Sequence, residues 1–170
     1  MTGNTSLVTK VYFPREIFPV SSVLVCLVDF AVASLALAGL IVWYGIGLHW
    51  TQLLVPIVLS VQVVFTLAIA LLLAMANLFY RDVKYLFEIV LTVWMFVTSV
   101  VYPVNMLGGT LGKAMQFNPM TPIIDAYRDV LIRGNVPGEM FGVAAAISVV
   151  LLAVAWIVFH RAEFQFAENV

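Results

Sequence analysis

The sequence predicts an all-α membrane protein, a polytopic bundle of apolar helices. Hydrophobic residues make up 64% of the 170 residues and charged residues only 10%, whereas an ordinary soluble domain carries about 25% charged residues. No segment shows the alternation of a barrel strand, and in hydrocarbon the backbone must satisfy its own hydrogen bonds, so the apolar segments are predicted to be helices. The length allows one transmembrane domain, residues 1–170, without a separate soluble lobe.

Four apolar stretches reach the length of about 20 residues that a membrane-spanning helix needs. They run from about residue 20 to 48, 53 to 79, 89 to 107 and 141 to 159. An even count places both termini on one side, and the excess of Lys and Arg predicts that this side is cytoplasmic. With an inside N-terminus, the cytoplasmic face carries most of the basic residues, namely Lys10, Arg15, Arg81, Lys84 and Arg161.

Several classes of function find no support in the sequence. The net charge of −1 offers no basis for binding nucleic acid, and the single cysteine, Cys26, cannot form an internal disulfide or a thiolate cluster. The two histidines, His49 and His160, are predicted on opposite membrane faces. The stretch "GGTLGKA" lacks two residues of a phosphate-binding loop. We therefore expect neither a metal site nor a cofactor on this chain, and no secretory signal before the first span.

The segment between the third and fourth spans predicts a short helix that cannot cross the membrane. Thr121 can cap it, Pro122 suits its first position and Gly134 can end it. At 1.5 Å per residue such a helix is only about 18 Å long, so it should dip into or lie along the outer interface. Its apolar and polar faces are Ile123, Ala126, Tyr127, Val130 and Leu131 on one side and Asp125, Arg128 and Asp129 on the other.

Asp29 lies about midway along the first predicted span. A charged side chain costs about 2.5 to 3.5 kcal/mol at that depth, so Asp29 should face protein or water, or be protonated. It belongs to a stripe of small residues at helical spacing that suits close helix packing: Ser22, Cys26, Asp29, Ala33 and Ala36. The pattern favours helix packing, and a place on a substrate or proton path is the alternative.

A charged, proline-bracketed segment, "LVTKVYFPREIFPV", precedes the first span. Pro14 disfavours helix at the residue before it, and Pro19 can open the membrane span, so the prolines predict a short angled element. Apolar side chains beside Arg15 and Glu16 suit docking on a soluble partner. Taken from the residues alone, anchoring of Lys10 and Arg15 to anionic lipid is the favoured interpretation.

Three segments resemble, in the same order, the permeases of ABC-type polysaccharide exporters. They are "LVTKVYFPREIFPV" before the first span, "NLFYRDVKYLFEIVLTVWMFVTSVVYP" around the next inside turn, and "FNPMTPIIDAYRDVLIRG" on the far side. These permeases are membrane subunits that move O-antigen, capsule or teichoic acid chains. The resemblance covers nearly the whole chain and is specific because the three motifs occur together.

The resemblance implies a homodimer in the bacterial inner membrane, joined to two copies of a separate ATPase that binds ATP and magnesium. In the family, the segment that matches "YFPREIF" is a cytoplasmic coupling helix seated in a cleft of the ATPase, and the turn that matches Phe79 to Asp82 is a second inside contact. Lipid and a glycan substrate are the other implied partners. The implied coupling residues are Tyr12, Phe13, Pro14, Arg15, Glu16, Arg81 and Asp82.

The resemblance also implies an exit gate and an aromatic substrate path. The outer segment matches short re-entrant helices that guard the exit in the family, which assigns Asn118, Pro119, Asp125 and Arg128 to a gate. Aromatic rings stack on the C–H faces of sugars, and lipid-facing or core positions are the alternative for each ring. The candidates for the path are Trp94, Phe96, Tyr102 and Phe117, together with Asp29.

One feature departs from the family pattern. Members usually have six spans after an interface helix, whereas this chain matches the pattern from just before the third span and so resembles the C-terminal two-thirds of a permease. Export of drugs or lipids by an ABC permease is the alternative function within the family. A membrane enzyme or a scaffold of cell-surface glycan assembly is the alternative outside it, although no convergent acids or histidines support an enzyme.

Overall fold

The computed structural model describes residues 16–45, 47, 49–79, 82–98, 100 and 118–168. Every regular element among them is helical, which confirms the predicted all-α class. In chain order they are α1 (Ile17–Trp43), a 3₁₀ turn (Trp50–Leu54), α2 (Val55–Phe79), α3 (Val83–Val97), α4 (Met120–Arg128), a π-helical turn (Asp129–Arg133) and α5 (Glu139–Glu168).

Three of the described helices are long and apolar enough to cross a membrane. They comprise residues Ile17–Trp43, Trp50–Asn77 and Glu139–Arg161. Proline lies within the first turn of three elements, as Pro19 in α1, Pro56 in α2 and Pro122 in α4. The first four N–H groups of a helix have no partner within it, so a proline there loses no hydrogen bond. The expectation that Pro19 opens the first span agrees with this placement.

Helices α2 and α5 form the core of the bundle and run in the same direction. Val58 and Phe65 pack in one cluster with Ala144, and Ala68 and Leu71 pack in a second with Ala155 and Phe159. Residues later in α2 therefore contact residues later in α5, as expected for two parallel helices. Since α2 ends where α5 also ends, the chain between Phe79 and Glu139 has to return from one end of the bundle to the other.

Small residues allow α2 and α5 to approach closely. Ala68 on α2 and Ala144, Ser148 and Ala155 on α5 are each at most 1% exposed. The hydroxyl of Ser148 donates to the carbonyl of Ala144 at 2.7 Å, so this polar group is satisfied inside its own helix. Small side chains at helical spacing are the usual means of packing helices in a membrane, where hydrophobic burial adds little.

Helix α1 packs much less closely than α2 and α5. None of its most apolar stretch is buried, and its buried residues are only Pro19, Val23 and Ile41. The small-residue stripe that contains Cys26 and Asp29 is exposed throughout. The chain therefore does not use this stripe for packing among the described helices, and the buried small residues lie on α2, α4 and α5 instead.

The third predicted span coincides only partly with a described helix. Helix α3 begins at Val83, six positions before the predicted start, and ends at Val97. Thr98 then takes extended dihedral angles, φ −91° and ψ 143°. Residues 101–117 lie outside the described part of the chain, so a span from 89 to 107 stays a prediction.

Candidate functional site

The short helix α4 begins with a cap that the sequence analysis assigned to the wrong residue. The side-chain oxygen Oδ1 of Asn118 accepts the backbone N–H of Met120 at 3.1 Å, and Pro119 is the N-cap residue. Thr121 lies inside the first turn, where its hydroxyl is buried and has no hydrogen-bond partner. Asn118 supplies the capping hydrogen bond because the side chain of an asparagine can accept from the N–H two residues ahead, whereas Thr121 already lies within the first turn.

The predicted apolar face of α4 is buried between α2 and α5. Ile123 and Val130 are fully buried and Ala126 is 1% exposed, while Tyr127 and Leu131 are partly buried. The hydroxyl of Thr51, in the 3₁₀ turn before α2, donates to the carbonyl of Val130 at 3.0 Å. This bond gives a partner to a buried carbonyl within the π-helical turn.

The C-terminal end of this helical segment abuts the loop that joins α1 to α2. Gly134 ends the segment as predicted, with φ 67°, a left-handed conformation that favours glycine. A Cβ atom at this position would lie 2.5 Å from Cδ2 of His49. We call the end of the bundle that holds His49, Gly134 and Glu139 the His49 end.

The N-terminal end of α4 lies deep in the bundle. Met120 lines the same cavity as Phe65 and Ile69 of α2. The helical segment from residue 120 to 133 is about 21 Å long at 1.5 Å per residue. A distance of about 21 Å measured along the 3₁₀ turn and α2 from the His49 end also reaches the level of Phe65. Phe65 is near the middle of the apolar segment Trp50–Asn77. The short helix therefore extends from the His49 end to about halfway through the bundle, which agrees with the first of the two predicted placements, dipping inward, and not with the second, lying along the interface.

The polar face of α4 is joined to the chain that follows α3. Nη1 of Arg128 lies 3.2 Å from Oδ1 of Asp125, and both side chains are half-buried. Nη2 of Arg128 donates to the carbonyl of Val100 at 3.0 Å. Arg133, by contrast, pairs with Asp129 at 2.7 Å within the same helical segment and is more exposed.

A second link joins the two segments at the deep end. Nδ2 of Asn118 donates to the hydroxyl oxygen of Thr98 at 3.0 Å, and the Thr98 hydroxyl donates to the carbonyl of Trp94 at 2.7 Å. Thr98 is 1% exposed, so these bonds satisfy a buried group where α3 ends. The structure thus brings the predicted gate residues Asn118, Asp125 and Arg128 onto one segment. The role of Thr98 was missed because only its tertiary neighbours reveal it.

An apolar cavity of about 340 Å³ lies between α2 and α3 beside the N-terminus of α4. Trp94, one of the predicted path residues, lines it, whereas Phe96 is 53% exposed on α3. Tyr102 and Phe117 lie outside the described residues, and Asp29 is exposed on α1 rather than at the cavity. The other residues that line the cavity are Phe65, Thr66, Ile69, Ala70, Leu73, Phe87, Val90, Leu91 and Met120.

Two of the predicted coupling residues lie in the described part of the chain. Glu16 precedes α1, and its Oε1 lies 2.9 Å from Nδ1 of His160 near the end of α5. Asp82 is the exposed N-cap residue of α3. We call the end of the bundle that holds Glu16, Asp82 and His160 the Glu16 end. Five other predicted residues lie outside the described residues, namely Tyr12, Phe13, Pro14, Arg15 and Arg81.

The fold and this site define a class of multi-pass helical membrane proteins with a half-inserted helix, as found where membrane proteins form a transport pathway. Comparison with known proteins makes the class specific, because a model of the family described as "ABC-2 type transporter" matches residues 4–132. The chain belongs to this family of transporter membrane domains.

The chain is also similar to individual permeases. It is 32% identical over 173 aligned residues to the O-antigen export system permease protein RfbA of Myxococcus xanthus. The alignment covers 100% of the chain and 66% of that relative. Two O-antigen export system permease proteins RfbA of Klebsiella pneumoniae are 23% and 24% identical, each over 98% of the chain and 64% of the relative. The chain therefore spans slightly less than two thirds of the length of these relatives.

Proposed function

We propose that this chain is the membrane subunit, or a large part of it, of an ABC exporter that moves a polysaccharide or a lipid-linked glycan out of the cytoplasm. The observation that carries the proposal is the similarity of the whole chain to the O-antigen export permease of Myxococcus xanthus at 32% identity. Capsule and teichoic acid chains belong to the same chemical class of cargo as O-antigen. Export of a drug or a lipid is the alternative within the same family.

The energy for export is proposed to come from a separate ATPase, with ATP and magnesium bound on that partner. The Glu16 end is proposed as the docking face, because it holds Glu16 and Asp82 and is continuous with the charged segment that precedes α1. A second copy of the permease completes the proposed assembly. The Glu16 end is accordingly assigned to the cytoplasmic side of the bacterial inner membrane, together with both termini.

The exit gate is proposed to be the segment from Asn118 to Arg133 at the opposite end. It stops halfway through the bundle, and its polar face is held by Arg128 and Asn118 to the end of α3. Movement of α3 relative to α2 would therefore shift the gate. The cavity lined by Trp94 lies at the inner tip of this segment and is a proposed part of the path.

The experiment is complementation of a strain that lacks its own O-antigen permease, using the complete gene product expressed with its ATPase. We expect surface glycan to return only when both subunits are present and the ATPase is catalytically intact. Arg15→Glu should lower co-purification of the ATPase, because it reverses a charge in the proposed docking segment. Arg161→Glu is the matched control on α5.

Three outcomes would contradict parts of the proposal. Glycan export that does not require the ATPase would remove the exporter function. Co-purification of the ATPase at the wild-type level with Arg15→Glu, with export retained, would return the first segment to a simple lipid anchor. If the expressed permease and ATPase increase the efflux of a drug or a lipid but do not restore surface glycan, the alternative cargo is favoured.

A further inference from the structure

The contact between Glu16 and His160 connects the residue before α1 to the second half of α5. His160 lies near the end of α5 and its Nδ1 atom is 2.9 Å from Oε1 of Glu16, the residue that precedes α1. The Glu16 side chain is only 17% exposed and that of His160 is 50% exposed. The imidazole ring also stacks on Trp156 one helical turn earlier, with ring centroids 5.7 Å apart and planes inclined by 19°. Both partners are therefore held in defined orientations.

The mechanical importance of this contact follows from the packing of the two helices. Helix α1 buries none of its most apolar stretch, and it is attached to the bundle by a few buried residues and by the ring of Phe30, whose centroid lies 6.1 Å from that of Tyr127 on the gate segment. Helix α5 packs along α2 in two clusters, and the first of these clusters also contains Ile123, Ala126 and Val130 of the gate segment. A force applied just before α1 reaches the gate through α5 only if the start of α1 is fastened to α5.

We propose that Glu16 and His160 are positioning residues that fasten the ATPase-docking segment to α5, so that its movement is passed to the gate segment at the opposite end. The inference rests on the proposed exporter function and adds a residue pair and a route to it. A charge-assisted hydrogen bond suits the task because it is directional. The pair is partly exposed, and such pairs add little to overall stability, so its removal should affect coupling more than folding.

The test uses the complete permease, purified with its ATPase and reconstituted with the glycan substrate. His160→Leu should keep the bound ATPase, the unfolding temperature and ATP hydrolysis near wild type, while glycan exported per ATP hydrolysed falls about tenfold, a normal size for coupling between sites. His160→Arg should restore export because it provides a cation to Glu16. The double variant Glu16→Leu/His160→Leu should export no less glycan per ATP than His160→Leu alone, as expected for partners in one interaction.

Arg161→Gln is the matched control, because it removes the neighbouring positive charge on the same helical turn. It should leave the export ratio unchanged. Wild-type export per ATP in His160→Leu would overturn the inference. Parallel loss of ATPase binding, unfolding temperature and export would also overturn it, since that pattern indicates a merely structural contact. If the wild-type assembly itself shows no ATP-dependent glycan export, the proposed function fails, and the inference fails with it.

Discussion

At the scale of single residues, the proposed gate segment is held by a few polar contacts that have no sequence signature. Thr51 is the clearest case, because its buried hydroxyl supplies the hydrogen bond to the Val130 carbonyl. Threonine and valine have nearly the same shape, so a substitution between them removes the hydroxyl while the packing volume stays similar. The contribution of this one hydrogen bond can therefore be measured directly.

We expect Thr51→Val to destabilise the protein by about 1 kcal/mol, because it leaves the buried Val130 carbonyl without its donor. The measurement is the apparent unfolding temperature of the purified protein in detergent. Thr92→Val is the matched control, since the Thr92 hydroxyl donates to Glu88 within an exposed turn of α3. Equal decreases for the two variants would show that the Thr51 bond has no special role.

Gly134 offers a second test at this scale. Gly134→Ala places a Cβ at 2.5 Å from His49 and requires φ 67°, whereas Gly45→Ala requires a similar φ of 66° but meets open space. The left-handed conformation alone costs a non-glycine residue about 1 to 2 kcal/mol. We therefore expect both variants to lower the unfolding temperature. The decrease should be larger for Gly134→Ala, because overpacking adds a free-energy cost of about 1 to 3 kcal/mol.

His49→Ala provides the check on this explanation. The double variant Gly134→Ala/His49→Ala removes the crowding and should return to the stability expected for the φ cost alone, apart from the loss of the His49 contact itself. A Gly134→Ala protein as stable as Gly45→Ala would contradict the close approach of His49 to the glycine.

At the scale of elements, α4 and its π-helical turn form a half-length unit with one buried and one polar face. The two arginines on this segment differ in what they join. Arg128 connects the segment to Val100 beyond α3, whereas, among the described residues, Arg133 pairs with Asp129 of the same segment. Substituting each arginine in turn therefore distinguishes the effect of a contact between two elements, made by Arg128, from that of an ion pair within one element, made by Arg133.

We expect Arg128→Ala to change export by about fivefold or more while the protein still inserts and binds its ATPase. Arg133→Ala should leave export near the wild-type level, since an exposed pair of this kind adds little. The measurement is surface glycan in the complementation assay, normalised to the amount of permease in the membrane. Unchanged export in Arg128→Ala would return Arg128 to the solvated face of a structural helix.

At the scale of the whole molecule, the parallel course of α2 and α5 constrains the topology. Both helices run from the His49 end to the Glu16 end, so the chain between them must cross back. We propose that α3 and the residues after it make this third crossing, as the sequence predicts for residues 89 to 107. The proposed topology has four crossings with both termini on the cytoplasmic side.

The topology can be tested with single cysteines in a Cys26→Ser background. The substitutions are Asn4→Cys, Leu48→Cys, Asp82→Cys, Asn135→Cys and Glu168→Cys. An impermeant thiol reagent added to intact cells should label the cysteines at positions 48 and 135 and spare the other three. Labelling at positions 4 and 168 without labelling at 48 and 135 would reverse the assigned orientation.

Much of the fold could be predicted from the sequence because local composition controls it. In a membrane the backbone has no water to bond, so long apolar segments must be helical, and the starts near Pro19 and Pro122 and the stop at Gly134 follow from their backbone restrictions. The two faces of α4 also follow from its 3.6-residue period. The family resemblance, carried by three ordered motifs, pointed to the exporter class.

Only the tertiary structure decided which of these features meet. Small residues recur on both α1 and α5, and the sequence analysis favoured the α1 stripe around Asp29 for packing, whereas of these two helices it is α5 that buries its small residues, at Ala144, Ser148 and Ala155. Thr121 was a better cap by position, yet Asn118 takes that role. The pairing of Glu16 with His160 joins residues far apart in the chain. Such contacts depend on how the helices are arranged in space, and no local pattern of side chains encodes that arrangement.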